Sequence, residues 1–178
     1  MSERDLPMRA LAANSAQCNE VSLSAAPQLV RIIARADRGS VKALGDMVGV
    51  ELPIDPCRSN QHRDRAALWL GPDEWLVLAD ESVELPAAYP GGCIVDVSHA
   101  MTGIAVSGSR ADWAISTFCA LDLHLVAFPV GMCTRTVLGK AEIVLWRTAV
   151  ESFRIEVARS FAPYVWGCLE AARHEFLA

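Results

Sequence analysis

Asp96-Val97-Ser98-His99 holds the three residue types of a hydrolase triad within four positions. A triad needs the imidazole within reach of the hydroxyl it deprotonates, with an acid behind the imidazole. On a strand, alternate side chains face opposite ways. Asp96 and Ser98 would then share one face and His99 the other, so His99 could not take the Ser98 proton. The segment predicts a strand end turned by local hydrogen bonds from Asp96 and Ser98.

Other chemistry finds as little support. There is no G-x-S-x-G, no G-x-x-x-x-G-K-[ST] and no G-x-G-x-x-G, and the glycines from Gly131 to Lys140 have the wrong spacing for a phosphate cradle. His62, His99, His124 and His174 form no i, i+4 metal pair. His124, between Leu123 and Leu125, reads as a hydrogen-bonded structural residue. Cys18, Cys57, Cys93, Cys119, Cys133 and Cys168 include no C-x-x-C. The N-terminal residues lack the apolar run of a secretory signal, so the expected place is the cytoplasm, where thiols stay reduced. Asp73 and Glu74 fall at a hairpin turn, where acids are commonly solvated. No catalytic, cofactor-binding or metal-ligating residue is assigned.

The remaining signal is aromatic and basic. The tryptophans are Trp69, Trp75, Trp113, Trp146 and Trp166, and the cations are 14 Arg against 2 Lys. Trp and Arg anchor interfaces, which makes Trp69, Trp75, Arg159 and Trp166 the candidate interface residues. Trp69 and Trp75 would also face each other across one hairpin. The alternative is a core role, since large apolar residues are mostly inside, together with a coding bias toward Arg.

The elements that must position these residues follow from periodicity. Residues 1–27 show no period and read as an N-terminal arm. Gln28–Ala36 favours a strand, with helix as the alternative. Ser40 is placed to cap a helix with stripe Val41, Leu44, Gly45 and Val48, ended by Gly49. Pro53–Arg65 reads as loop. Ala66–Leu70 and Glu74–Ala79 form a hairpin around Gly-Pro-Asp, and 80–92 is a connector. Cys93–Val97 and Thr102–Ser107 are strands. Ser109 and Asp112 predict a capping box for a helix from about Arg110 to Cys119. Thr134–Leu138 and Glu142–Arg147 form a second hairpin, and Phe153–Val157 a strand. Ser160 is placed to cap a last helix, with Pro163 in its first turn and a stripe of Phe161, Tyr164, Val165, Cys168, Leu169, Ala172 and Phe176.

Composition bounds the class. The chain has 178 residues, 52% hydrophobic and 21% charged, with net charge −5. That suits a folded domain, and the acidic balance argues against nucleic acid as a partner. Trp113 to Thr134 carries one formal charge, Asp122, but also His124, Pro129 and Gly131. It reads as helix, loop and strand, with no membrane span.

The sequence also resembles itself. Ala66–Leu78 lines up with Thr134–Trp146 at an offset of 68, with Leu70/Leu138, Gly71/Gly139 and Glu74/Glu142 identical. Each half reads β-α-β-β plus a further strand, a split β-α-β plan. The predicted fold class is α+β: two pseudo-repeated ferredoxin-like halves, about 28–92 and 93–178, with mostly antiparallel sheets and helices packed on them. Chance similarity between two Gly-turned hairpins is the alternative.

Several motifs together resemble a known family. These are Trp69-Leu-Gly-Pro-Asp-Glu-Trp-Leu76, Val95-Asp-Val-Ser-His99, Leu121-Asp-Leu-His124 with Phe128-Pro129, Leu138-Gly-Lys140, and Phe153–Phe161 followed by Tyr164-Val-Trp166. In this order they look like the gamma subunit of heterotetrameric sarcosine oxidase, over 28–178. The resemblance implies the fold of the folate-binding domain of glycine-cleavage aminomethyltransferases. It implies a complex that oxidatively demethylates sarcosine to glycine, with hydrogen peroxide and formaldehyde or methylene-tetrahydrofolate as products. It implies FAD, FMN, NAD, zinc and tetrahydrofolate in the complex, with none of them on this chain. The implied partners are the alpha, beta and delta subunits, chiefly the large alpha subunit, and the isolated chain is expected to self-associate.

One departure bears on chemistry. Aminomethyltransferases carry Gly-Gly-x-x-Asp-Asp at the hairpin, where this chain has Gly139-Lys140-Ala141-Glu142. A transferase-type Asp is missing, so a non-catalytic subunit is expected. The alternative, a free-standing folate-binding or aminomethyltransferase-like protein, needs a pocket with a convergent acid such as Glu142 or Asp96.

Overall fold

The computed structural model describes residues 11–12, 20–82, 89 and 91–176. Among them the chain forms strands β1 (Ser22–Ala25), β2 (Leu29–Ala36), β3 (Ser59–His62), β4 (Arg65–Gly71), β5 (Glu74–Asp80), β6 (Gly92–Asp96), β7 (Met101–Ser107), β8 (Cys133–Leu138), β9 (Ala141–Ala149) and β10 (Ser152–Ala158). The helices are α1 (Val41–Val48), α2 (Ala111–Ser116) and α3 (Ala162–Arg173). They belong to two compact units.

One unit spans Gln28–Ala100 and Gly131–Thr134. Its sheet has the order β3-β4-β5-β2-β6, with antiparallel neighbours. The helix buries the predicted stripe, Val41, Leu44, Gly45 and Val48. Val41, Leu44 and Val48 join Ile32, Ala34, Trp75 and Val77 in one core cluster. Gly45 permits close approach, since a Cβ there would lie 3.1 Å from the Val50 carbonyl oxygen. Gly49 ends the helix at φ +75°, donating its N–H to the Gly45 carbonyl at 2.9 Å. Ser40 makes no side-chain cap. Its own N–H donates to Asp37 Oδ1 at 2.9 Å, so Asp37 shapes the helix entry.

Two further differences have physical causes. Pro53–Arg65, expected as loop, contains β3. The sequence Ser-Asn-Gln-His has no apolar alternation because this is a polar edge strand, held by backbone pairing to β4. The strand β6, expected to open the second half, pairs with β2 and lies in the first sheet. β2 therefore has β5 on one side and β6 on the other.

The other unit comprises the described residues before 28, Met101–Val130 and the described residues from Arg135 onward. Its sheet order is β1-β7-β10-β9-β8. β1 falls in the lead-in, where the sequence shows no period, and pairs Ser22 with Ser107. Helix α2 buries Ala111, Ala114 and Ile115 and is shorter than expected. The Ser109/Asp112 box does not form. Arg110 occupies the N-cap position, and Asp112 Oδ1 accepts the Trp113 N–H at 2.8 Å. Pro163 sits in the first turn of α3, but Ser160 makes no cap. The buried face of α3 is rotated from the predicted stripe. Trp166 and Arg173 are buried, while Phe161 and Tyr164 are 46% and 39% exposed.

The repeat is present in topology, with a shifted register. In each sheet the strand before the helix (β2, β7) adjoins the last of the three strands after it (β5, β10). Thus β3-β4-β5 matches β8-β9-β10. The hairpins that align by sequence, β4–β5 and β8–β9, are one strand out of step. Their likeness is that of Gly-turned hairpins in general. The fifth strand of each sheet comes from opposite directions along the chain, β6 after its set and β1 before it. No helix among the described residues is long and apolar enough to cross a membrane.

Candidate functional site

The Asp96–His99 segment is a turn, as its sequence predicts. Asp96 Oδ1 accepts the Ser98 N–H at 2.8 Å. Ser98 Oγ accepts the Arg31 N–H at 2.9 Å, and Val97 donates its N–H to the Arg31 carbonyl at 2.8 Å. Ser98 is buried and committed to the backbone of β2, while His99 is exposed. No proton path joins them.

The β8–β9 turn is also structural. Gly139 has φ +59°, and a Cβ there would lie 2.4 Å from the Tyr164 hydroxyl, so that hydroxyl excludes a side chain. Lys140 donates its N–H to Tyr164 Oη at 3.2 Å. The one acid in the matching stretch, Glu142, has a 75% exposed side chain, 3.8 Å from Arg135 Nε. It converges on no pocket.

A cavity of about 940 Å³ lies beside α1 and β3, lined in part by Arg38, Lys42, Asp46, Glu51, Asn60 and His62. Four of its polar side chains, Lys42, Asp46, Asn60 and His62, are engaged. Lys42 Nζ donates to Asp46 Oδ2 at 2.7 Å, and this carboxylate holds the ammonium above its usual range. Asn60 Nδ2 donates to the Glu51 carbonyl at 3.1 Å. His62 Nδ1 lies 3.2 Å from the Gly49 carbonyl. Neither Asp96 nor Glu142 lines this cavity. Among the described residues there is no group of three or more metal-ligating side chains.

The second unit buries charge in structural settings. Arg154 Nε donates to Glu156 Oε1 at 2.6 Å. Arg173 donates to both Glu170 oxygens, at 2.7 and 3.1 Å, and Trp166 Nε1 shares Glu170 Oε1. Arg147 lies 4.4 Å over the Phe153 ring and donates to the Leu123 carbonyl at 2.8 Å. Burial pushes the Arg147 guanidinium below its usual range, against the raising effect of Asp112.

The four expected interface residues divide by burial. Trp75 and Trp166 are 1% and 2% exposed and pack in the cores of their own units. Trp69 is half-buried opposite Trp75, as the hairpin predicts. Arg159 is half-buried, and its Nε has no hydrogen-bond partner among the described residues. The surface instead exposes aliphatic residues that the sequence reading passed over. Val126 is 85% exposed, with Leu125 and Val130 nearby in sequence. Their loop is fixed. His124 takes the Ala127 and Phe128 N–H groups on its carbonyl at 2.9 and 2.8 Å, and Phe128 is buried. The apolar run Leu125–Val130 was the available signal.

Residues 34–175 match the model of the sarcosine oxidase gamma subunit family. A sarcosine oxidase subunit gamma from Corynebacterium sp. (strain P-1) is 33% identical over 145 residues, covering 78% of this chain and 71% of that relative. The chain belongs to the sarcosine oxidase gamma subunit family. An Arthrobacter member of the family is 38% identical over 96 residues, covering 51% of this chain and 47% of that one. Among solved structures, a chain of the heterotetrameric sarcosine oxidase from Corynebacterium sp. U-96, in complex with pyrrole 2-carboxylate, superposes with a TM-score of 0.86 at 29% identity. The match covers 100% of this chain and 97% of that one. The glycine cleavage system aminomethyltransferase T from Bartonella henselae shares the fold at a TM-score of 0.62 and 11% identity, over 91% of this chain and 48% of that one. The gamma-family chain therefore has the fold its resemblance implies.

Proposed function

We propose that this chain is a non-catalytic subunit of a cytoplasmic heterotetrameric sarcosine oxidase, packed chiefly on the large alpha subunit beside beta and delta subunits. The complex would oxidatively demethylate sarcosine to glycine, yielding hydrogen peroxide and formaldehyde or methylene-tetrahydrofolate. Its FAD, FMN, NAD, zinc and folate would sit on the other subunits. The observation that carries this reading is the end-to-end match to a chain of a heterotetrameric sarcosine oxidase. The commitment of Ser98 to the β2 backbone and the outward Glu142 side chain support a structural role. The proposed contact residues are Leu125, Val126 and Val130, and, each taken by itself, the partly exposed Trp69 and Arg159. A fixed loop loses little entropy on docking, which favours tight association.

The test is co-expression of the tagged chain with the other oxidase subunits of its host. The expected result is a flavin-bearing complex that co-elutes in fixed ratio and turns over sarcosine. A tagged chain that elutes free of flavoprotein would overturn the reading.

A further inference from the structure

We infer that Cys57 and Cys133 are a cross-strand thiol pair that a peroxide closes into an intramolecular disulfide. Nothing in this inference depends on the assembly proposed above. The two residues are remote in sequence but adjacent in space. Arg58 and Met132 form an antiparallel bridge. On one side of it Ser59 donates its N–H to the Gly131 carbonyl at 3.0 Å, and on the other Cys133 donates to the Cys57 carbonyl at 3.0 Å. That last hydrogen bond makes Cys57 and Cys133 neighbours across the bridge. Facing residues of antiparallel chains have Cα atoms about 4.5–5.5 Å apart, a range that overlaps the roughly 4.4–6.8 Å a disulfide spans.

Two further observations favour a reactive pair. Cys57 has φ +59°, a left-handed conformation that L side chains rarely adopt. Such strain concentrates at sites that switch. The thiols also differ in access. Cys57 is half-buried, while Cys133 is buried, with Sγ 3.2 Å from the Arg58 carbonyl and 3.7 Å from the Trp69 carbonyl. Both thiols are free. Burial pushes the Cys133 thiol up to about 12, which makes the more accessible Cys57 the thiol that peroxide meets first and Cys133 the one that reacts second.

The chemistry balances with hydrogen peroxide as the oxidant. The Cys57 thiolate attacks one peroxide oxygen, the O–O bond breaks, and Cys57 sulfenic acid and hydroxide form. Cys133 sulfur then displaces the sulfenic oxygen. The S–S bond forms, and the Cys133 proton leaves with that oxygen as water. Two thiols are oxidised and one peroxide is reduced to water.

The test is peptide mapping of the full chain after one equivalent of hydrogen peroxide, with thiols blocked before unfolding. The expected product is a Cys57–Cys133 linked peptide pair, lighter by two hydrogens and released by dithiothreitol. Cys57→Ser should abolish the link. Cys133→Ser should leave a Cys57 sulfenic acid that dimedone traps. The wild-type map alone decides the matter if a variant misfolds. Cys57 and Cys133 both recovered as thiols while exposed Cys93 is oxidised would overturn the inference, as would Cys57 linked to any other cysteine.

Discussion

Arg154 and Glu156 lie two residues apart on β10, with Nε and Oε1 2.6 Å apart and both side chains buried. They share their side of the sheet with Gly103 of β7. A Cβ at Gly103 would stand 2.9 Å from Ala26 Cβ and 3.0 Å from each member of the pair. Removing one partner leaves a buried charge uncompensated. Glu156→Ala should therefore cost about 3–5 kcal/mol. Arg154→Met with Glu156→Leu should cost much less than the sum of the single changes. Urea unfolding of Glu156→Ala and of the double variant beside its two single variants and wild type checks this, and additive costs would contradict it.

Trp75 joins sheet to loop. Its Nε1 donates to the Pro53 carbonyl at 2.7 Å, beneath the α1 core. Trp75→Phe keeps an aromatic ring but strands that buried carbonyl. The expected loss is about 1–3 kcal/mol, read as a lower urea midpoint with an unchanged slope.

Cys133 gives stability an alkaline dependence. In the folded chain its thiol holds a proton up to about 12, against the usual 9.0. Above 9 the unfolded chain binds fewer protons, so rising pH favours unfolding, by up to about 1.4 kcal/mol per pH unit. Below 9 this contribution is constant. The expected result is a fall in urea midpoint from pH 9 upward that is shallower in Cys133→Ala. Equal slopes in the two proteins would refute it.

Val126 tests the proposed contact surface. At 85% exposure its side chain contributes little to the fold, so Val126→Asp should shift stability by less than about 0.5 kcal/mol. Docked against a subunit, the same side chain would contribute about 1.5–3 kcal/mol. Recovery of the complex at limiting concentration should fall about tenfold or more. A variant that assembles like wild type would remove this loop from the interface.

What the sequence shows depends on how local the cause is. The α1 stripe was legible because one buried helix face leaves a 3.6-residue period. The Asp96–Ser98 turn was legible because its hydrogen bonds stay within three residues and one neighbouring strand. The family membership was legible because several short motifs recur in order. β3 was hidden because polar edge strands carry no alternation. The rotated face of α3 was hidden because Arg173 and Trp166 count as surface or ambiguous types until Glu170 is seen to pair with both. The Cys57–Cys133 proximity was hidden because long-range register leaves no trace in spacing. Glu142 was named as a possible site acid from its place in a motif, and the motif did not say that its side chain points outward.

The opposite origin of the two outer strands has a consequence for how the polypeptide is made. Residues 28–100 hold all five strands and the helix of their sheet and can begin to assemble while the ribosome is still working. Ser22–Ala25 emerge before any of it, but their partner β7 is translated only after that whole sheet. β1 must wait, unpaired, for its place. Loss of β1 or of β10 would therefore damage the same sheet, although one is translated before the other unit's strands and one after them.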